Sequence, residues 1–113
     1  MADKQDCSDM LPLTHLSYHV MLAIADVPLH GYGIIKEVAM RTDGAMELEA
    51  GTLYAAIKRL REQGLLHPAG EAAGSRRRRD YELSELGRGV LQSESERLAG
   101  LVDVARAKGV LPA

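Results

Sequence analysis

The run Arg76-Arg77-Arg78-Arg79 is the part of this 113-residue chain with the plainest chemistry. Four adjacent guanidinium groups repel one another, so a fold gains no stability by placing them together. Their natural use is to neutralise phosphates or to enter a minor groove of negative potential. A second basic group lies upstream, where Lys58, Arg59 and Arg61 follow Thr52, Tyr54 and Ala55. Lys and Arg can meet guanine edges or phosphates, Thr and Tyr can donate to phosphate oxygens or touch a thymine methyl, and Ala lets a backbone approach closely. The formal net charge of −2 argues against a nucleic-acid partner until its distribution is considered. Between Gly51 and Asp80 seven basic residues stand against three acidic ones, so this window carries +4 and the remainder −6. A basic patch on an acidic body is an electrostatic footprint. An RNA or acidic-protein surface is the competing reading of the same charges.

Other chemistry has less to work with. No Ser, His and Asp arrangement is evident, and no strand feeds a GxGxxG or GxxxxGK pattern, so an enzyme is not expected. His15, Tyr18 and His19 lie near one another, but a metal site needs three or four convergent ligands and the single cysteine, Cys7, sits in the polar leading segment. No metal and no cofactor is expected. A lone thiol makes no internal disulfide and suits a reducing compartment. The start, MADKQDCSDM, reads as neither signal peptide nor anchor. No apolar run approaches the roughly 18–20 residues that span a bilayer, and the expected location is the cytoplasm.

These residues must be held by a frame, and hydrophobic periodicity supplies one. Residues 1–12 read as a flexible arm. Thr14 is a candidate N-cap for a first helix carrying Leu16, His19, Val20, Ala23 and Ile24 at helical spacing and ending near Asp26. His30-Gly31-Tyr32-Gly33 opens a second helix with Ile34, Ile35, Val38 and Ala39 as its stripe, running to about Arg41. Asp43-Gly44 marks a turn, and Met46 to Leu48 a short extended segment. A third helix follows Gly51, with Leu53, Ala56, Ile57 and Leu60 on one face and Gly64 where a left-handed cap wants glycine. At about 100° per residue the opposite face holds Ala55, Lys58 and Glu62, flanked by Thr52, Tyr54, Arg59 and Arg61. Glu62 has the wrong sign for phosphate and is placed beyond the groove.

Leu65 to His67 and Arg79 to Leu83 read as two strands joined by a small-residue loop that carries Ser75 and the arginines. Ser84 caps a last helix to about Lys108, with Leu91, Leu98, Leu101, Val102 and Ala105 as its stripe and Glu94 as an interruption. The chain is 46% hydrophobic with no Trp and no Phe, so its core is built of aliphatic side chains, as suits a helical protein. The fold class expected is mainly α with a small β-hairpin: a winged helix-turn-helix over residues 13–83, then a C-terminal dimerisation helix and tail over 84–113.

Three blocks in register resemble the PadR family of transcriptional regulators. They are His30-Gly31-Tyr32-Gly33-Ile34; Gly51-Thr52-Leu53-Tyr54-Ala55-Ala56-Ile57-Lys58-Arg59-Leu60 continuing to Gly64-Leu65-Leu66; and Arg79-Asp80-Tyr81-Glu82-Leu83-Ser84 with Gly87. The match covers roughly residues 13–90. The family often has proline where Ala55 stands, threonine where Ser84 stands and a charge where Gly33 stands. The resemblance places Tyr32 at the DNA-facing start of the second helix, and Lys36 follows one turn on. It implies a homodimer that binds an inverted repeat in double-stranded DNA, with one C-terminal helix as in short-tailed members. The sequence agrees, because a helix of about 24 residues cannot easily bury its stripe on so small a domain. Leu16, Val20, Leu91, Leu98, Leu101, Val102 and Ala105 are the expected dimer contacts.

The function expected is therefore a sequence-specific repressor with DNA contacts at Tyr32, Lys36, Thr52, Tyr54, Ala55, Lys58, Arg59, Arg61, Ser75 and Arg76 to Arg79. The resemblance also implies release by a small-molecule effector at the dimer interface. The aromatic sandwich some members use for planar ligands does not carry over, because the chain has no Trp. The alternatives are a winged-helix adaptor that meets another protein without specific DNA binding, and a ligand or redox sensor.

Overall fold

The computed structural model describes residues 9–69 and 79–112. Met10, Leu11 and Leu13 pack half-buried against the core and lead into α1 (His15–Ala23). Thr14 caps that helix, its Oγ1 accepting from Ser17 N at 3.0 Å. The helix ends at Ala23 rather than near Asp26, because Ile24 N and Ala25 N turn back to the Met21 and Leu22 carbonyls in a tighter final turn. α2 (Gly31–Arg41) is capped by His30, whose Nδ1 accepts from Gly33 N at 2.9 Å. After it the chain reverses through Asp43 and Gly44, both with positive φ, the conformation that glycine and aspartate tolerate best.

The 46–48 stretch forms no ladder; Met46 and Leu48 simply turn half-buried side chains to the core. α3 (Ala50–Glu62) buries Leu53, Ala56, Ile57 and Leu60. Gly64, at φ +79°, ends it as expected, with Leu65 N donating to the Leu60 carbonyl. β1 (Leu66–Pro68) and β2 (Tyr81–Leu83) pair antiparallel, Leu66 opposite Leu83 and Pro68 opposite Tyr81. Tyr81 also exchanges backbone hydrogen bonds with Leu29 at 2.9 and 3.2 Å, which ties the hairpin to the α1–α2 connection.

α4 (Glu85–Ala107) starts at the expected cap, Ser84. The Ser84 hydroxyl accepts from Gly87 N and donates to the Gly64 carbonyl, so one side chain joins the end of α3 to the start of α4. Gly87 is required there for space: a Cβ on it would run into the Leu65 carbonyl. The core draws Val20 and Met21 from α1, Ile34 and Val38 from α2, Leu53 from α3 and Val90 from α4, all fully buried. Each such side chain contributes about 1.5–3 kcal/mol. This is the winged helix that the sequence predicts.

Two expectations are corrected. Glu94 does not interrupt the apolar stripe; it is 2% exposed and continues the buried face of Gly87, Val90 and Leu91. Its carboxylate accepts from Leu13 N at 3.0 Å and from Arg97 Nε and Nη2 at 2.6 and 2.9 Å. Val20 and Leu91, expected at a dimer interface, lie in the protomer's own core at 0% and 7% exposure, because α1 and the first turns of α4 pack on each other.

Candidate nucleic-acid interface

Burying one face of α3 forces the other outward. Thr52, Tyr54, Ala55, Lys58, Arg59 and Arg61 are all exposed. Lys58 and Glu62 form an exposed ion pair at 3.9 Å one turn apart. Such a pair is worth little, so phosphate can readily replace Glu62 as the partner of Lys58. Glu62 lies one turn beyond Lys58 on the same exposed face. Arg59 and Arg61 sit in the last turn of α3, where their charge also opposes the helix dipole. At the other end, Glu49 provides no side-chain cap, which leaves the first N–H groups of α3 to solvent or to an anion.

The start of α2 adds a second set of groups. Because His30 Nδ1 accepts the capping hydrogen bond, its proton is on Nε2. The ring stacks on Tyr32 at 6.4 Å between centroids, 14° from parallel. Lys36 places its Nζ 5.5 Å from the centre of the Tyr32 ring. Tyr32 itself is 64% exposed, so it is a surface residue and not a half-buried packing tyrosine.

The two sets meet at Gly31. A Cβ there would lie 2.5 Å from Cζ of Tyr54, and closer still to the hydroxyl. The phenol of α3 therefore rests on the bare backbone at the start of α2. Sequence reasoning used Gly31 only as part of a motif and missed this seat; the available signal was a helix-opening glycine in one block and an aromatic residue on the reading face of the next.

The hairpin stands beside this surface. His67 and Glu82 face each other across it, Nδ1 to Oε2 3.6 Å, on its exposed side. Arg79 is exposed just before β2. Ser75, Arg76, Arg77 and Arg78 lie outside the described residues, as does Cys7. The histidines of α1 go elsewhere. His15 and His19 contact edge to face at 4.5 Å, while Tyr18 turns to α4 and shares a 2.8 Å hydrogen bond with Ser95. His19 Nδ1 meets Arg41 at 2.9 Å, and Arg41 also holds Glu37 and the His19 carbonyl. Burial, His15 and Arg41 hold the His19 ring below the usual histidine range, against an opposing pull from Glu37. Among the described residues, no group of three His, Cys, Asp or Glu side chains could hold a metal ion. No described helix is long and apolar enough to cross a membrane.

Of the expected dimer contacts, Leu16 and Leu98 are half-buried, Ala105 is partly exposed, and Leu101 and Val102 are 55% and 40% exposed.

Three helices, a two-stranded wing and a basic, hydroxyl-bearing third helix define a winged-helix protein of the transcription-regulator class. The chain belongs to the PadR-like family of transcriptional regulators, whose family model matches residues 20–93. An uncharacterised 37.1 kDa protein in transposon TN4556 of Streptomyces fradiae is 37% identical over 82 residues, 73% of this chain. The chain spans only 22% of that protein's length. Among solved structures, a PadR-family transcriptional regulator from Eggerthella lenta superposes with a TM-score of 0.65 at 27% identity, covering 96% of this chain and 88% of that one. Bacillus subtilis PadR, solved in complex with operator DNA, has a TM-score of 0.60 at 19% identity, covering 77% of this chain and 48% of that one.

Proposed function

We propose that this protein is a homodimeric repressor that binds an inverted repeat in double-stranded DNA, with α3 in the major groove. The observation that carries this reading is the continuous exposed surface made by Thr52, Tyr54, Ala55, Lys58 and Arg59 on α3 with Tyr32 and Lys36 on α2. It joins donors for phosphate to donors for base edges, on a fold shared with a PadR solved on its operator. Tyr54 and Lys58 contribute specificity, and the run Arg76 to Arg79 mainly positions the protein on the DNA backbone. Neutralising phosphates with these arginines makes the affinity fall steeply with salt.

The dimer reading rests on α4. The stripe that packs on the core through Gly87, Val90, Leu91 and Glu94 continues as Leu98, Leu101 and Ala105 past the edge of the domain, with Val102 beside it. Within that second half, Leu101 and Val102 stay exposed among the described residues. A second copy would cover it and set two α3 helices about one DNA turn, roughly 34 Å, apart.

An effector has a place to act near this seam. A cleft of about 330 Å³ has Leu22, Leu83 and Leu91 among its walls and Arg88, Gln92 and Ser95 at its polar side. A ligand seated against both α1 and α4 would bias their packing and so the spacing of the reading helices. A gel-shift titration on duplexes enriched by the protein from a random pool tests the function. Binding should be specific, and replacing Arg76 to Arg79 with Ala should weaken it on every sequence and flatten the salt dependence. Enrichment of no duplex, with retention of some other protein on the same surface, would favour the adaptor reading instead.

A further inference from the structure

Tyr54 is 49% exposed, yet the tip of its ring is not free. It lies over Gly31 so closely that a Cβ on that residue would fall 2.5 Å from Cζ and 3.1 Å from Cε1. Gly31 is the first residue of α2 and has ordinary helical geometry, so no turn or positive φ requires glycine there. Alanine would suit the helix better. The reason for glycine is the ring that sits on it.

We propose that Tyr54 is a positioning residue: seated on bare Gly31, its phenol locks the reading face of α3 to the start of α2, so that Tyr54, Tyr32 and Lys36 meet DNA as one preorganised surface. The inference rests on the DNA-binding reading and adds a mechanical basis for it. A surface tyrosine ordinarily loses rotamer freedom when it binds, and here that loss is already met in the free protein. The Tyr54 hydroxyl has no hydrogen-bond partner among the described residues, so it keeps a donor for phosphate while its ring is held. Tyr32 adjoins Gly31 in the chain, stacked by His30 and topped by Lys36, so any shift of the Tyr54 seat moves that trio relative to α3.

The test uses the full chain and a duplex enriched by the wild-type protein. Gly31→Ala should keep its helical circular dichroism and bind that duplex at least tenfold more weakly. Tyr54→Phe, which keeps the ring on its seat and removes only the hydroxyl, should lose less than Tyr54→Leu. In the Gly31→Ala background the further change Tyr54→Leu should cost little, because the ring has already been displaced. An NMR arm needs no DNA: the Gly31 Hα resonances should carry a ring-current shift that Tyr54→Leu abolishes and Tyr54→Phe preserves. Wild-type affinity in Gly31→Ala, full additivity of the two changes, or Gly31 resonances indifferent to Tyr54→Leu would each overturn the proposal. A wild-type chain that enriches no duplex while the ring-current arm behaves as described would overturn the DNA-binding reading instead, leaving the seat as a feature of the fold.

Discussion

Glu94 carries a charge into the interior and is tolerated because every contact around it favours the carboxylate. The Arg97 guanidinium is the largest influence and holds the carboxyl below the usual glutamate range; burial pushes the other way, and Leu13 N adds to the lowering. A group whose folded pKa lies below its unfolded value stabilises the protein above the unfolded pKa and loses that contribution as pH falls through the folded one. Glu94→Gln should therefore lower stability at neutral pH by about 1–3 kcal/mol, the worth of hydrogen bonds to a charged group. It should also shallow the acid limb of the unfolding curve below about pH 4.5, the ordinary glutamate value. Denaturant titrations at pH 7 and pH 4 check both. An unchanged acid limb would mean that the carboxylate is not what acid attacks. Periodicity could not find this role, since it counts apolar side chains and Glu94 fails the count. Arg97 three residues on was a visible clue; Leu13, 81 residues away, was not. Lys58 was legible from its angle on the helix alone. Lys58→Ala should weaken binding about five- to tenfold and change which duplexes are enriched, the effect of one base or phosphate contact.

Where elements meet, two joints are open to test. Ser84 and Gly87 fasten α4 to the end of α3, and Gly87→Ala would drive a methyl against the Leu65 carbonyl. It should cost about 1–3 kcal/mol, as overpacking does, and lower the thermal midpoint accordingly. The second joint is His19 with Arg41, between α1 and α2. Because the folded protein favours the neutral ring, the tie stabilises above the ordinary histidine range and weakens as pH falls from 6.5 through the lowered folded value. His19→Gln should flatten the fall of the melting temperature as pH drops below about 6.5, where the unfolded ring takes up a proton that the folded one resists. The helices and their ends at Gly64 and Ser84 were legible because caps and glycines act locally. The pairing of Leu29 with Tyr81 was not, since nothing within either segment announces a partner 52 residues off. Met46 to Leu48, read as a short extended segment, lies along the core with no ladder beside it.

The whole molecule is longer than its size requires. Its radius of gyration is 15.4 Å, against roughly 13 Å for a compact chain of this length, and α4 extends about 34 Å. The sequence suggested that α4 has more apolar stripe than one domain can cover. The structure divides that stripe at about Glu94: Leu91, expected at a partner, lies on the core side of the division, because the same residue types serve a core and an interface alike. Leu101→Asp should accordingly give a well-folded monomer at micromolar concentration by sedimentation, with weaker DNA binding; a dimer unaffected by it would place the interface elsewhere. The charge distribution, +4 over Gly51 to Asp80 within a chain of net −2, is the electrostatic basis of the proposed DNA binding. The central claim, that two copies present their α3 helices together, is tested most directly by hydroxyl-radical footprinting of the full chain on genomic DNA. The expected result is two protected patches related by a dyad, about one helical turn apart, over an inverted repeat. Protection of a single asymmetric patch, or of none at concentrations where the protein is dimeric, would contradict it.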